Sequence, residues 1–278
     1  MCTLNLGIVE YLNCFPLLYP LKKQKLLFAN VVPGTPNVLN NKFLKGELDI
    51  TPISSIEYAR HAGECLILPD VSIAADGKVL SILLVSKYPI NELSGKTVAL
   101  TSSSATSVVL LKILLNIHYE VNANYITMPP NLDTMLEETD AALLIGDDAL
   151  RFGLNYQKGY VYDLGEIWKE MTGYPMVYAL WVMKQSYART NESQVQEVAI
   201  TMQKAKQWAT KNKEILLGEA RQVYDFTPEL LEKYYETIKY DFNEYYQKAL
   251  LTFFTLAVEV GALAEVPELK IWGTNHVS

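Results

Sequence analysis

Short apolar runs alternate with helix-forming segments along the N-terminal half of the chain, and this alternation constrains the fold more than any other feature. Leu4–Val9, Phe28–Val32 and Leu48–Thr51 read as strands. Helices are expected from near Phe15-Pro16, over 37–44 with Gly46 as its stop, and from Pro52-Ile53-Ser54-Ser55 through Arg60. Parallel neighbours need a crossover rather than a tight turn, so this β-α-β-α-β order predicts a parallel sheet with right-handed connections. After an apolar strand over 81–86 a second set follows: strand 97–100, helix 107–117, strand 125–128, helix 131–138 and strand 141–145. An extended run over 177–183 closes that set, and the pattern beyond Thr190 is helical. Helices are expected over about 192–216, over 228–240 with Thr227 as N-cap and Pro228 in the first position, and over 244–263.

Two α/β units joined by two extended crossings, followed by a helical C-terminus, resemble the type II periplasmic-binding-protein architecture. The expected fold is therefore α/β and two-lobed, with a two-stranded hinge. One lobe takes residues 1–86 plus 182–278, the other 87–181, and the ligand cleft lies between them. A chain of 278 residues, half of them apolar, is long enough to give both lobes a core.

Charge and composition exclude several functions. The net charge is −7, and Arg60, Arg151, Arg189 and Arg221 are the only arginines, with no basic stripe, so neither nucleic acid nor an anionic membrane is expected as a partner. No window has the length and apolarity of a membrane span. The start, Met1-Cys2-Thr3-Leu4-Asn5-Leu6, lacks the features of a secretory signal, and the odd set Cys2, Cys14 and Cys65 lacks Cys-x-x-Cys spacing; both point to a cytoplasmic setting. His61, His118 and His276 are scattered, and Asp147-Asp148 has no further ligands nearby, so no metal or other cofactor is expected. No Gly-x-Ser-x-Gly elbow is present to support a histidine-based triad.

Thr101-Ser102-Ser103-Ser104-Ala105-Thr106-Ser107 carries a hydroxyl on six of its seven residues and stands between a strand and a helix. Such a segment offers backbone N–H groups and hydroxyls to an anion above the sheet. Without a Gly-x-x-x-x-Gly-Lys pattern it is no nucleotide loop. Asn13 and the pair Ser54-Ser55 also follow predicted strands and open predicted helices. In open parallel sheets the carboxyl ends of the strands line the ligand crevice. All three loops therefore point to one cleft, lined by neutral hydrogen-bonding groups suited to carboxylates and hydroxyls. Asp147 is a polar group at the mouth of that cleft, or else Asp147 or Asp148 is the N-cap of a helix starting near Ala149. Cys14 stands at a helix start where a thiolate is favoured, but it is given no part in the chemistry. The aromatic residues of the C-terminal region, Tyr234, Tyr235, Tyr240, Phe242, Tyr245, Tyr246, Phe253 and Phe254, fall at helical spacings and read as core.

Several of these segments together resemble one family. They are Tyr11-Leu12-Asn13, Pro52 through Arg60, Asp76-Gly77 followed by Ser81, Thr106-Ser107, Leu144 through Asp147 with Ala149-Leu150, Asp163-Leu164-Gly165-Glu166-x-Trp168, and Thr172-Gly173-Tyr174-Pro175 through Ala179-x-Trp181. In this order they are similar to the chorismate dehydratases of the futalosine route to menaquinone. The resemblance implies a binding-protein fold recruited to loss of water from chorismate, giving 3-[(1-carboxyvinyl)oxy]benzoate. It also implies that the substrate's own enolpyruvyl carboxylate takes the proton. On that model Asn13 and Ser81 position the reacting groups, while Ser54, Ser55, Ser104, Thr106, Ser107 and Asp147 bind the substrate. Three positions depart from the family pattern: Glu10 where an uncharged residue is usual, Lys78 in place of proline, and Ala105 where many relatives carry arginine. Either Lys78 compensates for the missing arginine or that arginine is not a ligand. The sister enzyme that makes 1,4-dihydroxy-6-naphthoate has a histidine base at the end of the strand equivalent to 141–145, where this chain has Gly146 and Asp147. A receptor that closes on a small carboxylate without consuming it shares the fold and is the alternative.

Overall fold

The computed structural model describes residues 4–23 and 29–273. Cys2, His276 and the Phe28 end of the second predicted strand lie outside them. Among the described residues eleven strands form two sheets. The first six-stranded sheet contains β1 (Leu4–Ile8), β2 (Ala29–Pro33), β3 (Ile50–Ser54) and β4 (Cys65–Ala75). The second contains β5 (Ile82–Ser86), β6 (Thr97–Thr101), β7 (Asn124–Met128), β8 (Ala141–Ile145) and β9 (Tyr160–Asp163). The chain then returns to the first sheet for β10 (Met176–Lys184) and the short β11 (Ile238–Lys239).

The strand order is β11-β4-β10-β3-β1-β2 in one sheet and β7-β6-β8-β5-β9 in the other. The predicted parallel cores are present, as β1 pairs parallel with β2 and β3, and β6 with β7 and β8. The antiparallel members are β10 against β3 and β4, and β5 against β8 and β9. Strands β3, β5 and β8 are buried along their whole length, which explains why β5 and β8 read as nearly continuous apolar runs rather than alternating ones.

Sheet membership moves both expected lobe boundaries. Ile82–Ser86 pairs in the second sheet, and the whole of Met176–Lys184 pairs in the first. The chain therefore crosses at 76–81 and again at 164–175, not at 86 and 181. The first crossing leaves the first sheet beside the point where the second returns to it, because Ala75 and Met176 are partners in the antiparallel β4–β10 ladder.

Helix boundaries follow local chemistry. Thr227 caps Pro228–Thr237 by accepting from Leu230 N–H, as its sequence predicts. The expected 192–216 helix is two helices, Glu192–Lys211 and Lys213–Val223, broken at Asn212. Strands β4, β9 and β11 were not expected. Cys65–Ala75 contains Pro69 and Asp70, which disguise it, and Asp70 takes a left-handed φ of 59° there. Among the described residues no helix is long and apolar enough to cross a membrane.

Candidate functional site

The two crossings are held together by one carboxylate. Asp163, at the end of β9, caps the helix Leu164–Thr172 by accepting from Gly165 N–H at 2.9 Å and Glu166 N–H at 3.2 Å. The same side chain accepts from Val79 N–H at 3.1 Å and Leu80 N–H at 2.7 Å on the other crossing. Burial pushes its pKa up, while these four backbone donors pull it back down. Leu80 is held with a left-handed φ of 63°, a conformation that a leucine seldom adopts without such an anchor. Gly165 is required at this junction, since a Cβ there would lie 2.5 Å from the Gly77 carbonyl oxygen.

Ser81 follows directly. Its carbonyl accepts from Gly146 N–H at 2.7 Å, tying it to the end of β8. Gly146 itself takes φ 59°, and its missing Cβ leaves room for the ring of Tyr11. The Ser81 hydroxyl accepts from Tyr234 O–H at 2.8 Å. Asn13 lies in a helical turn just before Phe15–Lys23, and its carbonyl accepts from Tyr240 O–H at 2.8 Å. Tyr234 and Tyr240, read from sequence as packing, are therefore bonded to Ser81 and Asn13. The available signal was a hydroxyl at core positions where phenylalanine would pack equally well.

Between the two sheets lies a cavity of about 80 Å³, bordered by Asn13, Ser54, Ser81, Ser104, Ser107 and Tyr178 among its polar residues. Tyr11, Cys14, Pro52, Ile73, Val79, Ile145 and Gly146 add apolar or backbone surface. No Asp, Glu, His, Lys or Arg stands among the described residues that line it. Five of the eight residues singled out from sequence thus meet at one place.

The other three do not line it. Ser55 is fully buried and donates to the Val177 carbonyl at 2.8 Å, fastening its helix to β10. Thr106 Oγ1 accepts from Ile56 N–H at 3.2 Å, so it caps the helix Ser55–Arg60 across the cleft. Asp147 accepts from Leu12 N–H at 3.2 Å, beside Asn13; Asp148 stands at the N-cap position of the helical turn Ala149–Gly153, as one expectation had it, but its side chain makes no capping hydrogen bond. Burial raises the Asp147 pKa to about 6, and Asp148 adds to the rise, against the Leu12 N–H and Arg151. The hydroxyl run divides similarly. Ser104 caps the helix Ala105–Ile113 by accepting from Ser107 N–H at 3.2 Å, and only Ser104 and Ser107 of the run border the cavity.

Tyr178 was missed in the sequence reading. In the β4–β10 ladder Val177 pairs with Ala74 and Ala179 with Ile73, so Tyr178 is an extra residue on its strand. Such a bulge re-aims a side chain, here into the cavity wall. The residue is 8% exposed, and its hydroxyl has no hydrogen-bond partner among the described residues; the same holds for Asn13 Oδ1. A buried polar atom without a partner costs about 1–3 kcal/mol, which a ligand in the cavity can recover. Cys14 also borders the cavity, but burial pushes its thiol up to about 12, so the expected thiolate preference of a helix start is overridden.

The departures from the family pattern place no charge in the cavity. Lys78 Nζ pairs with Glu166 at 3.3 Å on the surface, so it does not replace a missing arginine. Glu10 pairs with Lys22 at 3.1 Å, also exposed. His61 lies near Glu57 at the end of its helix, and His118 packs edge-on against Tyr119; neither borders the cavity.

Two α/β sheets, two crossings and a cavity between them define a protein of the periplasmic-binding-protein fold. The structure superposes on the periplasmic aliphatic sulphonate binding protein of Escherichia coli with a TM-score of 0.65 at 16% identity, covering 97% of each chain. A protein of Archaeoglobus fulgidus of known crystal structure matches with a TM-score of 0.76 at 20% identity, over 93% of this chain and 98% of that one. The sequence matches the model of the menaquinone biosynthesis family over residues 4–259, and the chain belongs to that family. It is 30% identical over 254 residues to the chorismate dehydratase of Thermus thermophilus, covering 86% of this chain and 89% of that protein.

Proposed function

We propose that this protein is a chorismate dehydratase. It removes water from chorismate to give 3-[(1-carboxyvinyl)oxy]benzoate, and the cavity between the sheets is its active site. Family membership supports the reaction, and one observation carries the mechanism: among the described residues the cavity lining contains neutral donors and acceptors but no basic side chain. The elimination breaks the C–H bond at the ether-bearing ring carbon and the C–O bond of the neighbouring ring hydroxyl. The C–H electron pair completes the aromatic ring, and hydroxide leaves with a proton as water. That C–H is vinylogous to the ring carboxylate, so the developing negative charge spreads into a group the enzyme already binds. With no protein base at hand, the enolpyruvyl carboxylate of the substrate takes the proton. The enzyme's task is to bind, orient and stabilise charge.

Asn13 and Ser81 position the reacting groups. Ser54, Ser104 and Ser107 cradle the carboxylates, helped by the N-terminal ends of the helices Phe15–Lys23 and Ala105–Ile113. Tyr178 supplies a further donor. The two sheets belong to two lobes that close over the substrate, and Asp147–Leu12 and Thr106–Ile56 are the contacts made on closure. A histidine base of the kind that the naphthoate-forming sister enzyme uses has no counterpart in the lining.

Incubating the purified protein with chorismate and following products by mass spectrometry tests the proposal. The expected outcome is the dehydrated aromatic ether, with its rate lowered strongly by Asn13→Ala. Chorismate left intact, yet protecting the protein against thermal unfolding, would instead identify a receptor.

A further inference from the structure

Tyr234 lies on the helix Pro228–Thr237, 153 positions along the chain from Ser81, and is 1% exposed. It does not border the cavity, so it is not in contact with a ligand there. Among the described residues its hydroxyl makes one hydrogen bond, the 2.8 Å bond to Ser81 Oγ. We propose that Tyr234 is a positioning residue that fixes the Ser81 hydroxyl so that its proton is directed into the cavity. The inference rests on the proposed role of Ser81.

A serine hydroxyl has one proton and two lone pairs, and it rotates to suit its surroundings. Two arrangements of this pair are conceivable. If Ser81 donated to Tyr234, the phenolic proton would be left in a dry interior without an acceptor, which is costly. If Tyr234 donates, its own proton is satisfied and the Ser81 proton is left for whatever occupies the cavity. Burial raises the Tyr234 pKa far above its ordinary value, so the phenol keeps the proton that it donates. The Ser81 backbone is restrained independently, by Gly146 N–H on its carbonyl and by Asp163 on Leu80. Only the hydroxyl rotor remains free, and Tyr234 removes that freedom. A hydroxyl prepared in this way reaches the leaving oxygen or a carboxylate of the substrate without reorganising during the reaction.

Tyr234→Phe deletes one oxygen and keeps the ring. A contact that merely satisfies a buried donor predicts a lower Tm with an unchanged kcat in the folded protein. A positioning role predicts that kcat for chorismate dehydration falls about 10- to 100-fold while KM changes less than about threefold. The effect must also pass through Ser81: in a Ser81→Ala background, adding Tyr234→Phe should lower kcat no further. An unchanged kcat in Tyr234→Phe, or an equal loss in the Ser81→Ala background, overturns the inference alone. No turnover by the wild-type protein overturns the dehydratase reading and this inference with it. Should Tyr234→Phe fail to fold, difluorotyrosine at position 234 keeps ring and hydroxyl while strengthening the donor. A changed kcat at constant KM then supports the positioning role, and an unchanged kcat refutes it.

Discussion

Replacing Asp163 with alanine tests how the two crossings are joined. The wild-type carboxylate accepts from four backbone N–H groups, those of Val79, Leu80, Gly165 and Glu166. Val79, Leu80 and Gly165 are buried residues, so solvent is poorly placed to replace the lost acceptor. Each donor left unpaired costs about 1–3 kcal/mol, an upper range of about 4–12 kcal/mol for the set. Removing the carboxylate also relieves its own burial penalty, which is worth several kcal/mol for a charge out of water. The net loss is therefore expected near 3–5 kcal/mol, a large part of the about 5–15 kcal/mol that holds a typical domain folded. For a chain of this size each kcal/mol moves Tm by about 2–4 °C, so Asp163→Ala should melt about 10 °C lower. Urea unfolding followed by tryptophan fluorescence gives the free energy, and circular dichroism gives Tm. Asp163→Asn, which keeps one acceptor oxygen, should fall between wild type and alanine. A loss below about 1 kcal/mol in Asp163→Ala would show that the four N–H groups find other partners, and the account of the crossings would fail.

The remaining expectations concern residues beside the cavity. The Asp147 pKa, raised to about 6 in the folded protein, lies above its unfolded value, so its stabilising contribution is complete below about pH 4 and is lost as pH rises through 6. Measured against Asp147→Asn, wild-type stability should therefore decline by up to about 3 kcal/mol between pH 4 and pH 7; a gap that grows in the opposite direction would contradict the burial argument. Ser55→Ala should lower stability by about 1–3 kcal/mol, because the Val177 carbonyl loses its partner, while KM stays within about twofold; Thr106→Val, which leaves Ile56 N–H unpaired at a closure contact, should raise KM for chorismate. An unchanged Tm with KM raised tenfold in Ser55→Ala would return Ser55 to the ligand, and an unchanged KM in Thr106→Val would count against closure through that contact.

Much of the site was legible because helix N-termini after parallel strands have a defined place in such sheets. Asn13, Ser54, Ser104 and Ser107 were found on that rule, and all border the cavity. The rule does not say which way a hydroxyl faces. Ser54 and Ser55 are neighbours with identical chemistry, yet one turns to the cavity and the other to the Val177 carbonyl. Ser104 and Thr106 differ in the same manner across two positions of one turn.

Local patterning along the chain determined the parallel strands, the Thr227-Pro228 helix start and the places where helices open on the cleft, because each depends on residues a few positions apart. Tertiary structure alone decided the rest. The bulge that aims Tyr178, the Asp163 link to Leu80, and the pairing of Tyr234 with Ser81 join residues from 83 to 153 positions apart in sequence or set one strand against another. Periodicity reports which residues are buried. Where a buried hydroxyl finds its partner depends on how the sheets and the C-terminal helices come together in space.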